Sequence, residues 1–322
     1  MVLLVDDRWT GSHGIARFAG EVVPRMRVPH RALTGPVDPL SPLDVLNPGR
    51  LRLSGRDIVY SPGFNAGLSR ARQVLTLHDL IHLDDPDERS TAKRLYYERL
   101  VRPAVRRAGL VITVSPTSAR SIRTWIDRDD VRVVDVGNGC SDIFLEAAVT
   151  LPPDDATFAY VGNLKPHKNP RVVFAALAQV TGARLTVVSR DSQAVQELAA
   201  EFGVTDRVRA VSDCTDQELR DVYASSRALL MPSLSEGFGL PAVESIAVGR
   251  PVVHWAGCEA VAQVVGPHGA AVQDAHDPSA WADTMRAVID DRTGHPLPDA
   301  AWRHRHSWDA VAGRVDAALT SF

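Results

Sequence analysis

Short runs rich in Val, Leu and Ile recur from one end of this chain to the other, and each is followed by a longer amphipathic stretch. An unbroken apolar run of strand length suits a strand covered on both faces, which a parallel sheet flanked by helices provides. The alternation therefore predicts an α/β protein built from βα units. It falls into two series. Strands are predicted at residues 2–5, 57–60, 74–77, 110–114 and 131–136, and again at 158–161, 184–189, 208–211, 228–231 and 251–255. A long helix is predicted over 90–107, with further helices over 170–180, 193–201, 216–224 and 277–291. At 322 residues the chain has room for two domains of ordinary size. The series break at 147–155, where Leu151-Pro152-Pro153-Asp154-Asp155 continues neither a helix nor a central strand. Domains are thus expected over 1–150 and 151–305. The stretch 28–50 carries Pro29, Pro36, Pro39, Pro42 and Pro48 and is expected to leave the first domain as an irregular excursion.

Open parallel sheets gather ligands outside the carboxyl ends of their strands, and two in tandem are expected to face each other across a cleft. The informative loops should then directly follow strands. After the strand at 228–231 comes Pro232-Ser233-Leu234-Ser235-Glu236-Gly237-Phe238-Gly239-Leu240-Pro241-Ala242-Val243-Glu244. Two glycines let a ligand approach the backbone, and Pro241 suits the first turn of a helix. The free N–H groups and positive end of that helix suit a diphosphate, while Glu236 and Glu244 can accept hydrogen bonds from sugar hydroxyls. After the strand at 158–161 comes a second polar loop, Gly162-Asn163-Leu164-Lys165-Pro166-His167-Lys168-Asn169-Pro170. In the first series His78 and Asp79 follow a strand, and Thr10-Gly11-Ser12-His13-Gly14 follows the opening one.

The segment Ser235-Glu236-Gly237-Phe238-Gly239-Leu240-Pro241-Ala242-Val243-Glu244, with seven residues between its glutamates, resembles the most specific motif of glycosyltransferase family 4. The resemblance implies the GT-B fold of two Rossmann-like domains and a retaining, metal-independent transfer of a hexose from a nucleotide sugar to a glycan, lipid or small-molecule acceptor. It implies that Glu236 contacts the donor hexose and Glu244 the ribose, that Gly237 and the amides of Phe238, Gly239 and Leu240 meet the donor, and that Lys168 neutralises the departing diphosphate. His78 resembles the family's histidine that orients the sugar, and Gly14 lies in what resembles its first glycine loop. Many members carry a phosphate-binding arginine where this chain has Asn163, which supplies no charge; Lys165 is close enough in sequence to compensate. Ser115 and Asn138-Gly139 also match family positions, although turn chemistry accounts for Asn138-Gly139 equally well. The closing His306-Ser307-Trp308-Asp309 resembles the family's Ser-Trp element, after which the last helix, about 306–322, is expected to pack back on the first domain.

The remaining features set limits. A net charge of -3 gives no reason to expect nucleic acid. Cys140, Cys214 and Cys258 are too scattered for a disulfide framework or a zinc site and read as free thiols. Asp85-Pro86-Asp87 superficially offers paired aspartates, but the proline marks an acidic loop, and no metal and no cofactor beyond the nucleotide-sugar co-substrate is expected. No Gly-x-Gly-x-x-Gly follows the opening strand, which disfavours a nicotinamide oxidoreductase. A non-catalytic homologue that binds the nucleotide sugar as partner of another glycosyltransferase is the rival reading, against which Glu236, Glu244, Lys168 and His78 all stand intact. The charged start of the chain and the absence of a long apolar run lead to a cytoplasmic expectation. Lys93, Arg94, Arg99, Arg102, Arg106 and Arg107 give the long first-domain helix a basic bias, which leaves peripheral attachment at the inner membrane face open.

Overall fold

A computed structural model describes residues 2–11, 13–84, 90–146, 153, 155–291 and 295–322 of the chain. They form two compact units, Met1–Gly139 together with Trp308–Phe322, and Cys140–Ser307. The division falls at Gly139, ahead of the proline-rich break in the sequence, most of which lies outside the described residues, as does Asp85-Pro86-Asp87.

Each unit is built on a six-stranded, wholly parallel sheet with helices in the crossovers, so the α/β class read from the apolar runs is the class observed. In the first unit β1 (Leu3–Val5), β2 (Arg31–Ala32), β3 (Ile58–Ser61), β4 (Arg72–Thr76), β5 (Leu110–Thr113) and β6 (Arg132–Asp135) lie in the order β2-β1-β3-β4-β5-β6. In the second, β7 (Thr157–Val161), β8 (Arg184–Val188), β9 (Val208–Val211), β10 (Ala228–Met231), β11 (Val252–Trp255) and β12 (Gly269–Val272) lie in the order β12-β11-β10-β7-β8-β9. Strands β3, β5 and β10 are buried at every residue, as expected of a sheet covered on both faces. Burial of each large apolar side chain here contributes roughly 1.5–3 kcal/mol.

Two strands carry no legible apolar run. β2 is two exposed residues that pair with β1, and β12 opens with Gly269, where a Cβ would lie 2.1 Å from the Val252 carbonyl oxygen. The helix predicted over 90–107 is present but interrupted. It runs as Thr91–Tyr96, a π-helical turn at Tyr97–Val101, and Arg102–Ala108. Pro103 has no N–H for the regular ladder, and the widened turn ahead of it accommodates its ring.

Parallel strands are joined by crossovers whose helices run against the strands, which collects the C-termini of those helices at the amino edge of each sheet. Arginines meet them there. Arg106 donates to the Ile126 carbonyl (2.9 Å), Arg132 to Ala318 (3.2 Å), Arg207 to Leu177 and Val180 (3.0 and 2.9 Å), Arg227 to Val288 and Ile289 (2.8 and 2.7 Å), and Arg250 to Ala224 (2.9 Å). Each satisfies terminal carbonyls while placing positive charge at the negative end of a helix dipole. The last helix, Trp308–Thr320, is seated in the first unit by Trp308, whose ring meets Phe18 edge-on at 6.1 Å. A Cβ on Gly139 would stand 2.3 Å from that ring, so close approach rather than turn chemistry requires glycine there.

The proline-rich excursion is fastened by a buried charge network. Asp44, 2% exposed, accepts from Arg8 (2.7 Å), Arg50 (2.5 Å), Asn65 (2.9 Å) and Asn47 (3.0 Å), while Arg50 also reaches Asp6 (2.8 Å). Burial alone would push the Asp44 carboxyl up, but the hydrogen bond from Arg8 and the charge of Arg50 outweigh it and hold the group down at about 2. A depressed carboxylate contributes stability that is complete above its ordinary pKa and is lost as pH falls through the folded value. Asp44→Asn is therefore expected to cost about 3–5 kcal/mol in urea unfolding at neutral pH, because Arg8 and Arg50 lose a buried counter-charge. The variant should also lose stability less steeply than the wild type between pH 4 and 2. Equal acid sensitivity of the two proteins would contradict this account.

Candidate functional site

In the second unit β7 and β10 are neighbours, so the loops that leave their carboxyl ends must meet. They do so through backbone and side chain. The Leu234 N–H donates to the His167 carbonyl at 2.7 Å. Lys168 Nζ donates to Glu236 Oε1 at 2.6 Å, an ion pair spanning 68 residues of sequence, with the two side chains 22% and 12% exposed. Ser233 Oγ donates to the same oxygen at 2.7 Å. Both contacts fall on Oε1.

Beside this pair stands the helix Leu240–Ala247, whose N-cap is Gly239 at φ 104°, a left-handed conformation that favours glycine. A Cβ there would also come within 3.4 Å of Met231 and Val261. The N-cap residue itself has no side chain with which to accept from the first-turn N–H groups. Phe238 turns its ring inward, 8% exposed and 6.3 Å from His306, and offers its main chain to the site. Glu244, one turn into the helix, is 6% exposed and accepts a hydrogen bond from Tyr223 Oη at 2.9 Å. That hydrogen bond fixes the rotamer of a buried carboxylate.

The companion loop is built by its own side chains. Tyr160 Oη donates to the Asn163 carbonyl (2.7 Å), and Asn163 Oδ1 accepts from the Lys165 N–H (3.2 Å). Burial and the charge of Glu236 raise the Tyr160 hydroxyl well above its ordinary pKa. Asn163 thus shapes the loop and brings no charge, while Lys165 stands exposed at its crest. Asn169 closes it in the left-handed region at φ 50° and anchors it through the Ala275 carbonyl at 2.7 Å. Cys258 lies close by, pushed up to about 12 by burial and by Glu236, and stays a thiol.

The structure therefore brings together Lys168, Glu236, Gly237 and the 238–240 backbone, with Glu244 on the same helix and Asn163 and Lys165 on the adjoining loop. His78 and Gly14 belong to the first unit. Gly14 opens the helix Gly14–Val22, whose Phe18 meets the His78 ring edge-on at 5.1 Å. His78 Nε2 lies 3.1 Å from the Pro62 carbonyl, which can only accept. The nitrogen must carry the proton, so Nδ1 is the acceptor of a neutral ring. Burial pulls this imidazole down to about 4, too weak a base to take a proton at neutral pH but suited to orienting a hydroxyl. Asp79 accepts from the Ile81 N–H (3.1 Å) and shapes the loop. Ser115 caps the helix Pro116–Ile126. His82 packs edge-on against Tyr97 at 4.3 Å. Among the described residues no group of three or more His, Cys, Asp or Glu is placed to hold a metal ion.

The sequence reading gave no role to Ser233, Tyr223 or Tyr160, whereas Cys258 is the free thiol it expected. Ser233 sits three residues before Glu236, a spacing at which a hydroxyl and a carboxylate can meet across a loop. Tyr223 is 21 residues from its partner on another helix and carries no local signal.

The second unit, which carries both loops, is also where a family model matches. The model of the family described as glycosyl transferases group 1 matches residues 143–308, just over half of the chain. A D-inositol 3-phosphate glycosyltransferase of Mycolicibacterium smegmatis is 37% identical over 186 residues, 55% of this chain and 42% of the relative. One of Mycobacterium tuberculosis is 31% identical over 244 residues, 67% of this chain and 48% of the relative. The chain thus spans about half the length of the curated relatives it matches. Among solved structures, sucrose-phosphate synthase from Thermosynechococcus elongatus superposes with a TM-score of 0.76 at 19% identity, covering 99% of this chain and 98% of that one. Anabaena HepE in complex with UDP and glucose gives 0.73 at 17% identity, covering 100% and 99%. At such identities the likeness speaks for the fold.

The His78 ring yields a direct check. Its folded pKa lies below the ordinary imidazole value, so the native state binds fewer protons than the unfolded one between about pH 6.5 and 4, and stability falls as pH drops through that window. Long-range proton–nitrogen spectra should show a neutral, Nε2-protonated ring down to pH 5. A titration midpoint near 6.5 would contradict the assignment.

Proposed function

The chain belongs to the glycosyl transferases group 1 family, and from that premise we propose that it transfers a hexose from a nucleoside-diphosphate sugar to a hydroxyl acceptor, with retention at the anomeric carbon and without a metal ion. The observation that carries the reading is the Lys168–Glu236 pair at the glycine-capped start of the helix Leu240–Ala247. A cation and a helix N-terminus are the two features a diphosphate needs, and a carboxylate beside them suits the hydroxyls of the sugar it carries.

In this reading the donor diphosphate lies against the 238–240 amides, and the Lys168 ammonium is shared between Glu236 Oε1 and a phosphate oxygen. Glu236 Oε2 accepts from a sugar hydroxyl, while Glu244, held by Tyr223, meets the ribose. The bond from the anomeric carbon to the phosphate oxygen breaks, and its electron pair leaves with the phosphate, where Lys168 and the helix end stabilise the charge. The acceptor oxygen bonds to the same face of that carbon and gives its proton to the departing phosphate oxygen. No enzymatic base is then required. The matched relatives' name makes a phosphorylated cyclitol the first acceptor to try, and the UDP held by one fold neighbour puts uridine first among the bases.

The test is turnover of α-linked UDP-, GDP- and ADP-hexoses with inositol phosphates in the presence of EDTA, the product anomer being read from its proton coupling. An α-linked product, a rate indifferent to EDTA and a loss of about 10²–10³ in kcat for Lys168→Ala are expected. A β-linked product would rule out retention, and abolition by EDTA would rule out metal independence. Tight nucleotide-sugar binding with no transfer to any acceptor would mark a binding protein instead.

A further inference from the structure

We propose that the first unit docks on an anionic lipid surface through a ridge of leucines on the proline-rich excursion. The 3-10 helix Pro42–Leu46 has three residues per turn, so Leu43 and Leu46 stand one above the other. They are 68% and 56% exposed, and Leu40, just ahead of the cap residue Ser41, is 54% exposed. Leu68, 46% exposed, is fixed alongside by its N–H, which donates to the Val45 carbonyl at 2.8 Å. Single exposed leucines are ordinary, but these four are gathered on one short segment and its immediate neighbour.

The exposure is built into the fold. Asp44, between the two stacked leucines in sequence, points the opposite way into the buried network with Arg8, Arg50, Asn47 and Asn65. Asn47 in turn caps the helix Pro48–Leu51 through the Gly49 N–H at 2.8 Å. Pro39, Pro42 and Pro48 restrict the backbone around the ridge. A segment anchored by a set of buried charges and left with its leucines outward presents them to something outside the chain.

Charge selects the occupant. Arg52, Arg56 and Arg70 follow the ridge and Leu68 in sequence, are exposed, and make no side-chain hydrogen bond or ion pair among the described residues. Besides the buried Asp44, two carboxylates stand on the same segments. Asp57 is engaged by the Ser54 hydroxyl and N–H, and Asp38 accepts from the Leu40 N–H. The helix Thr91–Tyr96 is tied beside Leu68 by Tyr96 Oη, which accepts from the Ala66 N–H at 2.7 Å and donates to the Ala66 carbonyl at 2.9 Å. It adds exposed Lys93, Arg94 and Leu95. By contrast Arg102, Arg106 and Arg107 of the basic stretch are engaged by Glu98 and by the Ile126, Ser69 and Ala71 carbonyls, so the helix alone is a poorer candidate than the ridge. The patch holds leucines and cations but none of the exposed Trp or Tyr anchors that dominate protein interfaces, and leucine flanked by arginine suits the boundary of an anionic bilayer. The inference is independent of which sugar is moved, or of whether one is.

Flotation of the full chain with vesicles of phosphatidylcholine, with or without phosphatidylglycerol, tests it. The wild type should float with the phosphatidylglycerol vesicles alone and release as salt is raised. Leu43→Ser with Leu46→Ser should lower partitioning at least about tenfold at an unchanged thermal midpoint. Arg52→Glu with Arg70→Glu should lower it by about fivefold or more per site. The proposal is overturned if the wild type stays unbound on phosphatidylglycerol, if the leucine variant binds as well as the wild type, or if the wild type is a dimer that this variant dissociates, which would make a second copy the occupant.

Discussion

Among the described residues every strand is parallel to its neighbours, and that constraint sorts the charges around each sheet. A parallel sheet is reached only by crossovers, the crossover helices run against the strands, and their dipoles therefore align. Helix C-termini collect at the amino edges, where Arg106, Arg132, Arg207, Arg227 and Arg250 meet their carbonyls. Helix N-termini collect at the carboxyl edges, where Gly239 stands in place of a capping side chain. The candidate site follows from the same geometry that arranges the structural arginines. It sits where two adjacent strands, β7 and β10, release their loops.

Within that site the ion pair of Lys168 with Glu236 has a double role. Without ligand each side chain neutralises the other, so neither charge is left uncompensated in a partly desolvated position. Ser233 shares Oε1 with Lys168, so the carboxylate is held in one rotamer and the ammonium in one place. Tyr223 does the same for Glu244 from a neighbouring helix. Preorganisation of this sort lowers the cost of ordering the site when it binds.

The strands were legible because a doubly covered strand is a continuous apolar run, and β3, β5 and β10 are that pattern in its plainest form. β2 and β12 were not, since one is two exposed residues and the other begins on a glycine chosen for lack of room. The loops around Lys168 and Glu236 could be read from their residue types and their place after strands. Their partners could not: Tyr223 reaches Glu244 across 21 residues, and Lys168 reaches Glu236 across 68, distances that only the sheet order closes. The Asp44 network was equally hidden, because a proline-rich stretch reads as irregular whether or not a buried carboxylate pins it down.

The central claim is that the second unit is a nucleoside-diphosphate site built on Lys168, Glu236 and Glu244. Thermal unfolding with UDP, GDP, ADP and NAD, run on the wild type beside Lys168→Ala and Glu244→Ala, addresses it most directly. A ligand at about a hundred times its dissociation constant adds roughly 2.7 kcal/mol of stability, which such a scan resolves. The account predicts that one nucleoside diphosphate raises the midpoint of the wild type and that both variants lose the shift. Stabilisation by NAD alone, or by none of the four, would contradict it.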